Sequence, residues 1–281
     1  MADQIMCRVL EGIMDIRLDG RTAIVTGGSA GIGKAIAQNF ILSGANVVIA
    51  ARRQPNLEQA VSDIVAACEP IPDCQSKIKA ISADIRLAEE CAKIVAFAQA
   101  EFGGTDILIN NAGTSQRGDF LEVSDEVWQE DLDLKLFAAI RLSRLVIPEM
   151  RTRKWGRIIN VLNLGAKAPT GGSAPTAISR AAGMALMKVL ASENAAHNVL
   201  VNGLLVGRIE SEQWERRHAA DPRNLSIEDW YAEAANQLGI SMGRFGTAEE
   251  FANIATFLAS DAGSYINGTA INVDGGLSPV V

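Results

Sequence analysis

A glycine-rich turn near the start of the chain constrains the fold most strongly. The apolar run Arg21–Thr26 leads directly into Gly27-Gly-Ser-Ala-Gly-Ile-Gly33, and a run with helical character follows it. An apolar, β-branched run that stops at glycines is typical of a buried parallel strand. Glycines allow a tight turn and a close approach to a pyrophosphate, and the helix N-terminus supplies free N–H groups. The strand–turn–helix context therefore predicts a dinucleotide-binding unit.

Similar apolar runs recur along the chain and alternate with runs of helical character. Strand-like runs follow at Asn46–Ala51, Ile78–Ala83, Thr105–Asn110, Gly156–Val161, Leu200–Gly207 and Gly268–Gly276. Strands that alternate with helices build a parallel sheet covered on both faces. We predict an α/β fold with a single Rossmann-type, doubly wound parallel sheet of about seven strands. One domain over residues 18–281 would follow an N-terminal extension, residues 1–17.

The charge and cysteine content exclude several classes of function. A balance of 26 Lys and Arg against 33 Asp and Glu gives a net charge of -7, which argues against nucleic acid or an anionic membrane as the main partner. No apolar run reaches the roughly 20 residues of a membrane-spanning helix. Four cysteines and two histidines show no metal-ligand or redox spacing. We therefore expect no metal site and a reducing, cytoplasmic compartment.

The residues after the second strand indicate which dinucleotide binds. NAD enzymes place an acidic residue at the end of this strand, where it bonds the ribose 2′-hydroxyl. Here Ala51 is followed by Arg52 and Arg53. A guanidinium can bind a 2′-phosphate through paired hydrogen bonds, whereas a carboxylate would repel it. We expect NADP(H) in preference to NAD(H); the alternative is that both arginines are simply solvated.

Several separate motifs resemble those of the short-chain dehydrogenase/reductase family, and its 3-oxoacyl-ACP-reductase-like members in particular. They are the glycines at 27, 31 and 33, Asn110-Asn-Ala-Gly113, Gly156-Arg-Ile-Ile-Asn160 and the helix after Thr176, within a match from about Leu18 to Leu277. The resemblance implies a helical substrate lid over about residues 208–240 and a small-molecule substrate. It also implies a homotetramer or a dimer that assembles through helices over 124–150 and 173–195.

The resemblance also assigns cofactor contacts along the chain. The glycine turn would hold the pyrophosphate, the residues after the second to fourth strands would hold the adenosine, and later residues would hold the nicotinamide. The implied cofactor-binding residues are Gly27, Ser29, Gly31, Ile32, Gly33, Arg52, Arg53, Asp84, Ile85, Asn111, Ala112, Gly113, Thr176, Arg180, Gly207, Ile209 and Ser211.

The family's catalytic residues are replaced in this chain. Where the family has Asn, Ser, Tyr and Lys, the aligned positions hold Lys135, Asn163, Thr176 and Arg180. In the family, Tyr donates the proton, and a neighbouring Lys lowers the Tyr pKa from about 10. Thr176 cannot copy the Tyr, because an aliphatic hydroxyl is far less acidic and its reach is shorter by a ring.

The other three replacements keep part of the chemistry. Asn163 can still donate an amide hydrogen bond to a carbonyl, and Arg180 can hold the nicotinamide ribose but stays protonated. Lys135 could act as an acid or base if neighbouring cations lower its pKa. Alternatively, Lys135 pairs with Asp131 or Asp133, or faces water. Tyr231 of the lid and a water molecule are further candidates for the proton donor.

Three functions are compatible with this pattern. The first is an atypical NADP(H)-dependent oxidoreductase that acts on a small carbonyl or alcohol. The second is a cofactor-binding subunit that supports or regulates an active short-chain dehydrogenase/reductase partner. The third is a non-redox lyase or hydratase that uses Lys135 and Arg180 on an anionic substrate, against which the intact cofactor site argues.

Overall fold

The apolar runs form a parallel sheet in the computed structural model, which describes residues 16–69 and 76–281. Only the last two residues of the predicted extension, 1–17, are among them. The strands are β1 Thr22–Thr26, β2 Asn46–Ala51, β3 Ile78–Ser82, β4 Ile107–Asn110, β5 Arg117–Gly118, β6 Gly156–Asn163, β7 Ala174–Pro175, β8 Val199–Val206 and β9 Ala270–Val273.

The predicted doubly wound sheet is confirmed. Within the described residues, seven strands pair in the order β3-β2-β1-β4-β6-β8-β9, and every pair in this sheet is parallel. The direction of winding reverses between β1 and β4, and ligands of such sheets bind in the crevice outside the carboxyl ends of the strands at this point. The short strands β5 and β7 form a separate antiparallel pair beside that crevice.

Helices cover both faces of the sheet, because the strands bury apolar side chains on each side. The helices are α1 Gly31–Leu42, α2 Gln54–Cys68, α3 Ala88–Phe102, α4 Asp125–Leu132, α5 Ala138–Arg153, α6 Thr176–Asn194, α7 Glu212–Ala219, α8 Ile227–Leu238 and α9 Ala248–Ala259. One core packs Phe40 and Phe251 against the sheet, and the opposite core packs Ile94 and Leu142. No helix in the described part of the chain is long and apolar enough to cross a bilayer.

The helix predicted over 124–150 is interrupted, which corrects the sequence-based expectation. A π-helical segment, Asp133–Phe137, separates α4 from α5, and α5 continues to Arg153. A π-helical turn inserts an extra residue and changes which side chains face inward, and such turns are frequent at functional sites. Lys135 lies inside this segment, and its side chain is fully buried.

The helix predicted over 173–195 begins at Thr176, three residues later than expected. The preceding residues Ala174–Pro175 pair with Arg117–Gly118 instead of joining the helix. This pairing places Thr176 in the first turn of α6. Strand β6 extends past the predicted end and finishes at Asn163, so both residues lie at the carboxyl edge of the sheet.

The segment over 208–240 is helical, as the resemblance implied. It contains α7 and α8, which enclose a small aromatic core. Trp214 packs edge-on against Phe245 at 5.0 Å between ring centroids and lies 6.2 Å from Trp230. The two tryptophans therefore hold the lid together.

Candidate functional site

The glycine turn after β1 is shaped to receive a diphosphate. A Cβ atom at Gly33 would lie 2.3 Å from the carbonyl oxygen of Gly27, so the turn can close only with glycine there. Gly31 is exposed, has a φ of 51° and faces open space. No side chain caps the N-terminus of α1, where Ser29 and Ile32 flank the turn. The N–H groups at the start of α1 therefore have no side-chain partner, and the residues fit a dinucleotide pyrophosphate.

The loop after β4 is tied to the glycine turn by hydrogen bonds. The Thr26 hydroxyl accepts hydrogen bonds from the backbone N–H groups of Asn111 at 3.0 Å and Ala112 at 3.1 Å. The Asn111 side chain donates to the Thr26 carbonyl at 2.8 Å. Asn110 donates to Asn160 at 2.8 Å. The loop that contains Gly113 is thus positioned across the carboxyl ends of β1, β4 and β6.

The adenosine side of the crevice carries unneutralised arginines. Arg52 and Arg53 are exposed after β2, and no carboxylate of the described residues forms an ion pair with either. Asp84 is held by Arg86 at 2.6 Å, and this hydrogen-bonded pair lowers the pKa of the Asp84 carboxyl. Ile85 is buried beside it. The arginines can therefore meet an anion without first breaking an ion pair.

The predicted nicotinamide contacts lie after β8. A Cβ atom at Gly207 would lie 2.5 Å from the Cα atom of Asp274, so this position also needs glycine. Ile209 is buried and forms a bridge with Gly246. Ser211 precedes α7, and its hydroxyl makes no capping hydrogen bond. The backbone and hydroxyl groups at Ile209 and Ser211 thus lie on one short segment at the edge of the sheet.

A buried hydrogen-bond network joins Lys135 and Thr176, two of the four residues predicted to be catalytic. The Lys135 ammonium pairs with the Asp131 carboxylate and donates a 2.7 Å hydrogen bond to the Thr176 hydroxyl. The Ser179 hydroxyl donates to the other Asp131 oxygen at 2.6 Å. All four residues are buried. Of the alternatives for Lys135, the structure shows the pair with Asp131; Asp133 instead accepts a hydrogen bond from Arg141 at 3.1 Å.

Burial lowers the pKa of Lys135 to about 8. Desolvation of the ammonium is the main cause, and the charge of Arg180 adds to it, whereas the Asp131 carboxylate opposes the shift. The sequence argument attributed a lowered pKa to neighbouring cations, so the direction was right but the main cause was different. A Lys with this pKa is partly protonated near neutral pH and can give up or take a proton.

Arg180 and Asn163, the other two residues predicted to be catalytic, make no hydrogen bond to this network within the described residues. The Arg180 guanidinium donates a hydrogen bond to the carbonyl of Val161 and packs against Gly113. Its burial lowers the Arg180 pKa to about 10, so the group stays charged at neutral pH. The side-chain oxygen of Asn163 is buried without a hydrogen-bond partner among the described residues. A buried, unsatisfied amide oxygen costs free energy unless a ligand satisfies it.

Two members of the network carried weak sequence signals. Asp131 is one of two partners that the sequence analysis named for Lys135. The sequence signal for this pair is that Asp131 lies four residues before Lys135. Ser179 was not predicted, and its place three residues after Thr176 is a spacing common to most helices. The Tyr231 ring packs 5.0 Å from Phe245 in the aromatic core of segment 208–240, and its hydroxyl is buried.

Known proteins resemble this chain over nearly its whole length. The family model described as enoyl-(acyl carrier protein) reductase matches residues 27–278. The 3-oxoacyl-[acyl-carrier-protein] reductase FabG of Escherichia coli is 33% identical over 262 residues, which cover 93% of this chain and 99% of FabG.

Two solved structures share the fold at similar identity. L-sorbose reductase from Gluconobacter frateurii, complexed with NADPH and L-sorbose, is 32% identical with a TM-score of 0.87, covering 95% of this chain and 100% of that one. An NADPH-bound short chain oxidoreductase from Pseudomonas aeruginosa, described as containing an atypical catalytic center, is 34% identical with a TM-score of 0.86, covering 94% and 99%. The chain belongs to the short-chain dehydrogenase/reductase family.

Proposed function

We propose that this protein is an NADP(H)-dependent oxidoreductase that interconverts a small carbonyl compound and its alcohol, with Lys135 and Thr176 as its proton-transfer pair. The observation that carries the proposal is the 2.7 Å hydrogen bond from the Lys135 ammonium to the Thr176 hydroxyl. Thr176 occupies the position of the family's proton-donating Tyr. The buried ammonium thus lies directly behind the hydroxyl that would face the substrate.

The open backbone of the glycine turn would bind the pyrophosphate, and Arg52 and Arg53 would bind the 2′-phosphate. Bound NADPH supplies the hydride that reduces the carbonyl carbon. Arg180 would orient the nicotinamide ribose, as the family's Lys does. The solved relatives that contain NADPH support the choice of NADP(H).

Proton delivery requires a donor that is acidic enough near neutral pH. In the proposed step, the Thr176 hydroxyl gives its proton to the substrate oxygen and takes one from the Lys135 ammonium. The Thr176 hydroxyl accepts the hydrogen bond of Lys135 and lies 3.5 Å from Asp131 Oδ1, so its hydrogen must turn from that carboxylate toward the substrate oxygen to donate. The Asp131 carboxylate holds the ammonium in place, and solvent must restore the proton to Lys135 afterwards.

Asn163 would complete the substrate contacts. Its amide lies at the carboxyl end of β6, and its oxygen lacks a partner among the described residues. The amide nitrogen can donate to the substrate carbonyl, and the oxygen can accept from a substrate hydroxyl. This replaces the single hydroxyl that the family places there.

NADPH oxidation over a panel of small carbonyl compounds tests the proposal. We expect turnover that Thr176→Val abolishes and Thr176→Ser largely restores, while NADPH binding measured by calorimetry stays within about twofold. Turnover that is unaffected by Thr176→Val would contradict the proton-transfer pair. A protein that binds NADPH but reduces nothing on the panel would contradict the oxidoreductase assignment and favour a cofactor-binding subunit.

The proposed unit is one catalytic domain over residues 18–281, assembled as a homotetramer or dimer. Apolar side chains are exposed on the two elements that the family uses between subunits. They are Phe137, Leu145, Ile178 and Val189, each at least one-third exposed. Exposed apolar side chains that cluster on such faces are typical of association surfaces.

A further inference from the structure

Arg208 carries a partly buried guanidinium directly after strand β8. It follows Gly207 at the carboxyl end of β8, and its backbone carbonyl accepts a 2.9 Å hydrogen bond from Gly246. The Nε atom of Arg208 is buried and makes no hydrogen bond within the described residues. Burial lowers the pKa of Arg208, and Arg117 and Arg217 lower it further. An unsatisfied, desolvated guanidinium is costly unless a ligand meets it.

Arg217 reaches the same place from the lid. Its guanidinium lies 4.4 Å from the ring centroid of Trp214, and the Arg208 guanidinium lies 5.8 Å from that centroid. Trp214 is fixed by its edge-on contact with Phe245. The two arginines therefore share one aromatic platform, which holds their like charges close together.

Arg117 is placed next to Thr176 in space by the pairing of β5 with β7. It lies in β5, directly opposite Pro175, the residue before Thr176. Its neighbour Gln116 accepts a hydrogen bond from the Thr176 backbone N–H at 3.4 Å. Arg117 is exposed, so its guanidinium is available to a ligand next to the proposed proton-transfer pair.

None of the three arginines is neutralised. Over residues 16–69 and 76–281, no carboxylate lies within ion-pairing distance of Arg117, Arg208 or Arg217. Seven of the other fourteen arginines in the described ranges pair with Asp or Glu. A concentration of one charge at the mouth of a crevice attracts ligands of the opposite charge.

We infer that the substrate carries an anionic group, a carboxylate or a phosphate, which Arg208 binds together with Arg117 and Arg217 while the carbonyl faces Thr176. The inference rests on the proposed function for the carbonyl, but the anion site itself can be tested without turnover. Guanidinium groups bind carboxylates and phosphates through paired hydrogen bonds, and two or three of them would select an anionic substrate over its neutral analogue.

Ligand titrations into the NADP⁺-loaded protein separate this inference from the catalytic one. The probes are pyruvate, acetoacetate and 4-oxopentanoate with their methyl esters, and dihydroxyacetone phosphate with dihydroxyacetone. We expect at least one anion to bind about tenfold or more tightly than its neutral partner. Comparison of the carboxylate probes with the phosphate probe shows which kind of anion the site binds. The inference would be overturned if each anion bound no more tightly than its neutral partner, or if no anion bound at millimolar concentration. Either result would hold whether or not the protein reduces carbonyls.

Substitutions locate the site. Arg208→Met keeps the aliphatic stem against Trp214 but removes the charge, and it should reduce the anion preference to about twofold or less. Arg217→Met should reduce it partially. Arg216→Met is the matched control, because Arg216 lies next in the same helix but bonds the Glu212 carbonyl; it should keep the full preference. An anion preference that survives the Arg117→Met/Arg208→Met double substitution would contradict the assignment.

Discussion

The Lys135 ammonium and the Thr176 hydroxyl lie 2.7 Å apart, although 41 positions separate them in the chain. Two features of the fold bring them together. The π-helical segment turns Lys135 inward, and the pairing of β5 with β7 starts α6 at Thr176. The sequence analysis aligned each residue with a member of the family's catalytic set, and in the proposed function the two form the proton-transfer pair.

The first prediction concerns the pH dependence of carbonyl reduction. Lys135 must be protonated to supply the proton, and its pKa is lowered to about 8 by burial, with Arg180 adding to the shift and Asp131 opposing it. We expect kcat/KM for reduction to be constant below pH 8 and to fall about tenfold per pH unit above it. Alcohol oxidation needs the neutral amine and should rise through the same range.

Steady-state rates of the wild-type protein and Lys135→Met between pH 6 and 10 check this prediction. The variant should lose about 100-fold or more in kcat, within the range typical of a general acid. Any residual activity should no longer follow a group of pKa about 8. A wild-type profile that is flat across this range would show that another group supplies the proton.

The second prediction concerns the stability of the buried ion pair. The side chains of Asp131 and Lys135 are fully buried, so removing one charge leaves the other desolvated without a partner. Lys135→Met should lower the free energy of unfolding by about 3–5 kcal/mol, as expected for a broken buried pair. The Asp131→Asn/Lys135→Met double variant should recover most of this loss.

Urea unfolding of the wild type, both single variants and the double variant completes this thermodynamic cycle. The Asn side chain can still accept the hydrogen bond of Ser179, which keeps that part of the network satisfied. If the losses of the two single variants simply add in the double variant, the pair makes no mutual contribution and the prediction is wrong.

The third prediction is that the protein binds NADP(H) more tightly than NAD(H). Arg52 and Arg53 are exposed, and neither has a carboxylate partner within the described ranges, so they can meet the 2′-phosphate. We expect the Arg52→Ala/Arg53→Ala variant to weaken NADPH binding by about 10-fold or more and to leave NADH binding nearly unchanged. Calorimetric titration measures both, with Arg216→Ala as a control. NADH binding as tight as that of NADPH in the wild type would contradict it.

The fourth prediction concerns assembly. Ile178 and Val189 on α6 are 48% and 53% exposed, and association of this face would bury both. The wild type should form a dimer or tetramer at micromolar concentration, and Ile178→Glu/Val189→Glu should shift it toward the 29.9 kDa monomer. Val65→Glu is the control, because Val65 is 47% exposed on α2. Light scattering that shows only monomer in the wild type would contradict the prediction.

The sequence was sufficient for the sheet and the glycine turn because both depend on local patterns. Strand β1 has three apolar residues between two threonines, all of them buried, and Gly33 is required by its contact with Gly27 within the turn itself. The interruption at Asp133–Phe137 left no comparable signal, since π-helical and α-helical segments use the same residues. The sequence therefore could not decide whether Lys135 is buried and paired with an Asp or faces water.

Contacts between distant segments were also beyond the sequence. The cluster of Arg117, Arg208 and Arg217 combines a short strand after β4 with two parts of the lid, and no spacing in the sequence relates them. The same holds for Ser179 and Asp131, which meet only because α4 packs beside α6. Family resemblance predicted the catalytic positions, but the partners of those residues required the packed structure.

The last prediction concerns the family's usual substrates. A Thr hydroxyl reaches less far than a Tyr hydroxyl, so a carbonyl placed for the family's Tyr would lie out of range of Thr176. We expect very slow or absent reduction of simple ketones and 3-oxoacyl esters by the wild type. Thr176→Tyr alone should not improve this, because the new ring would displace the buried Lys135 and because no Lys at 180 lowers the Tyr pKa.

Restoring the four family residues should give turnover on those substrates only if the buried carboxylate is replaced as well. Of the substitutions Lys135→Asn, Asn163→Ser, Thr176→Tyr and Arg180→Lys, the first removes the ammonium that pairs with Asp131, and the last leaves a single cation near that buried carboxylate. We therefore expect the fourfold variant to be markedly less stable than the wild type, and the fivefold variant with Asp131→Asn to regain stability and reduce 3-oxoacyl esters measurably. Two measurements check this prediction: NADPH consumption on simple ketones and 3-oxoacyl esters, and thermal unfolding. Both are made on the wild type, Thr176→Tyr, the fourfold variant and the fivefold variant. Rapid reduction of 3-oxoacyl esters by the wild type would show that Thr176 and Lys135 already do what the family's Tyr and Lys do.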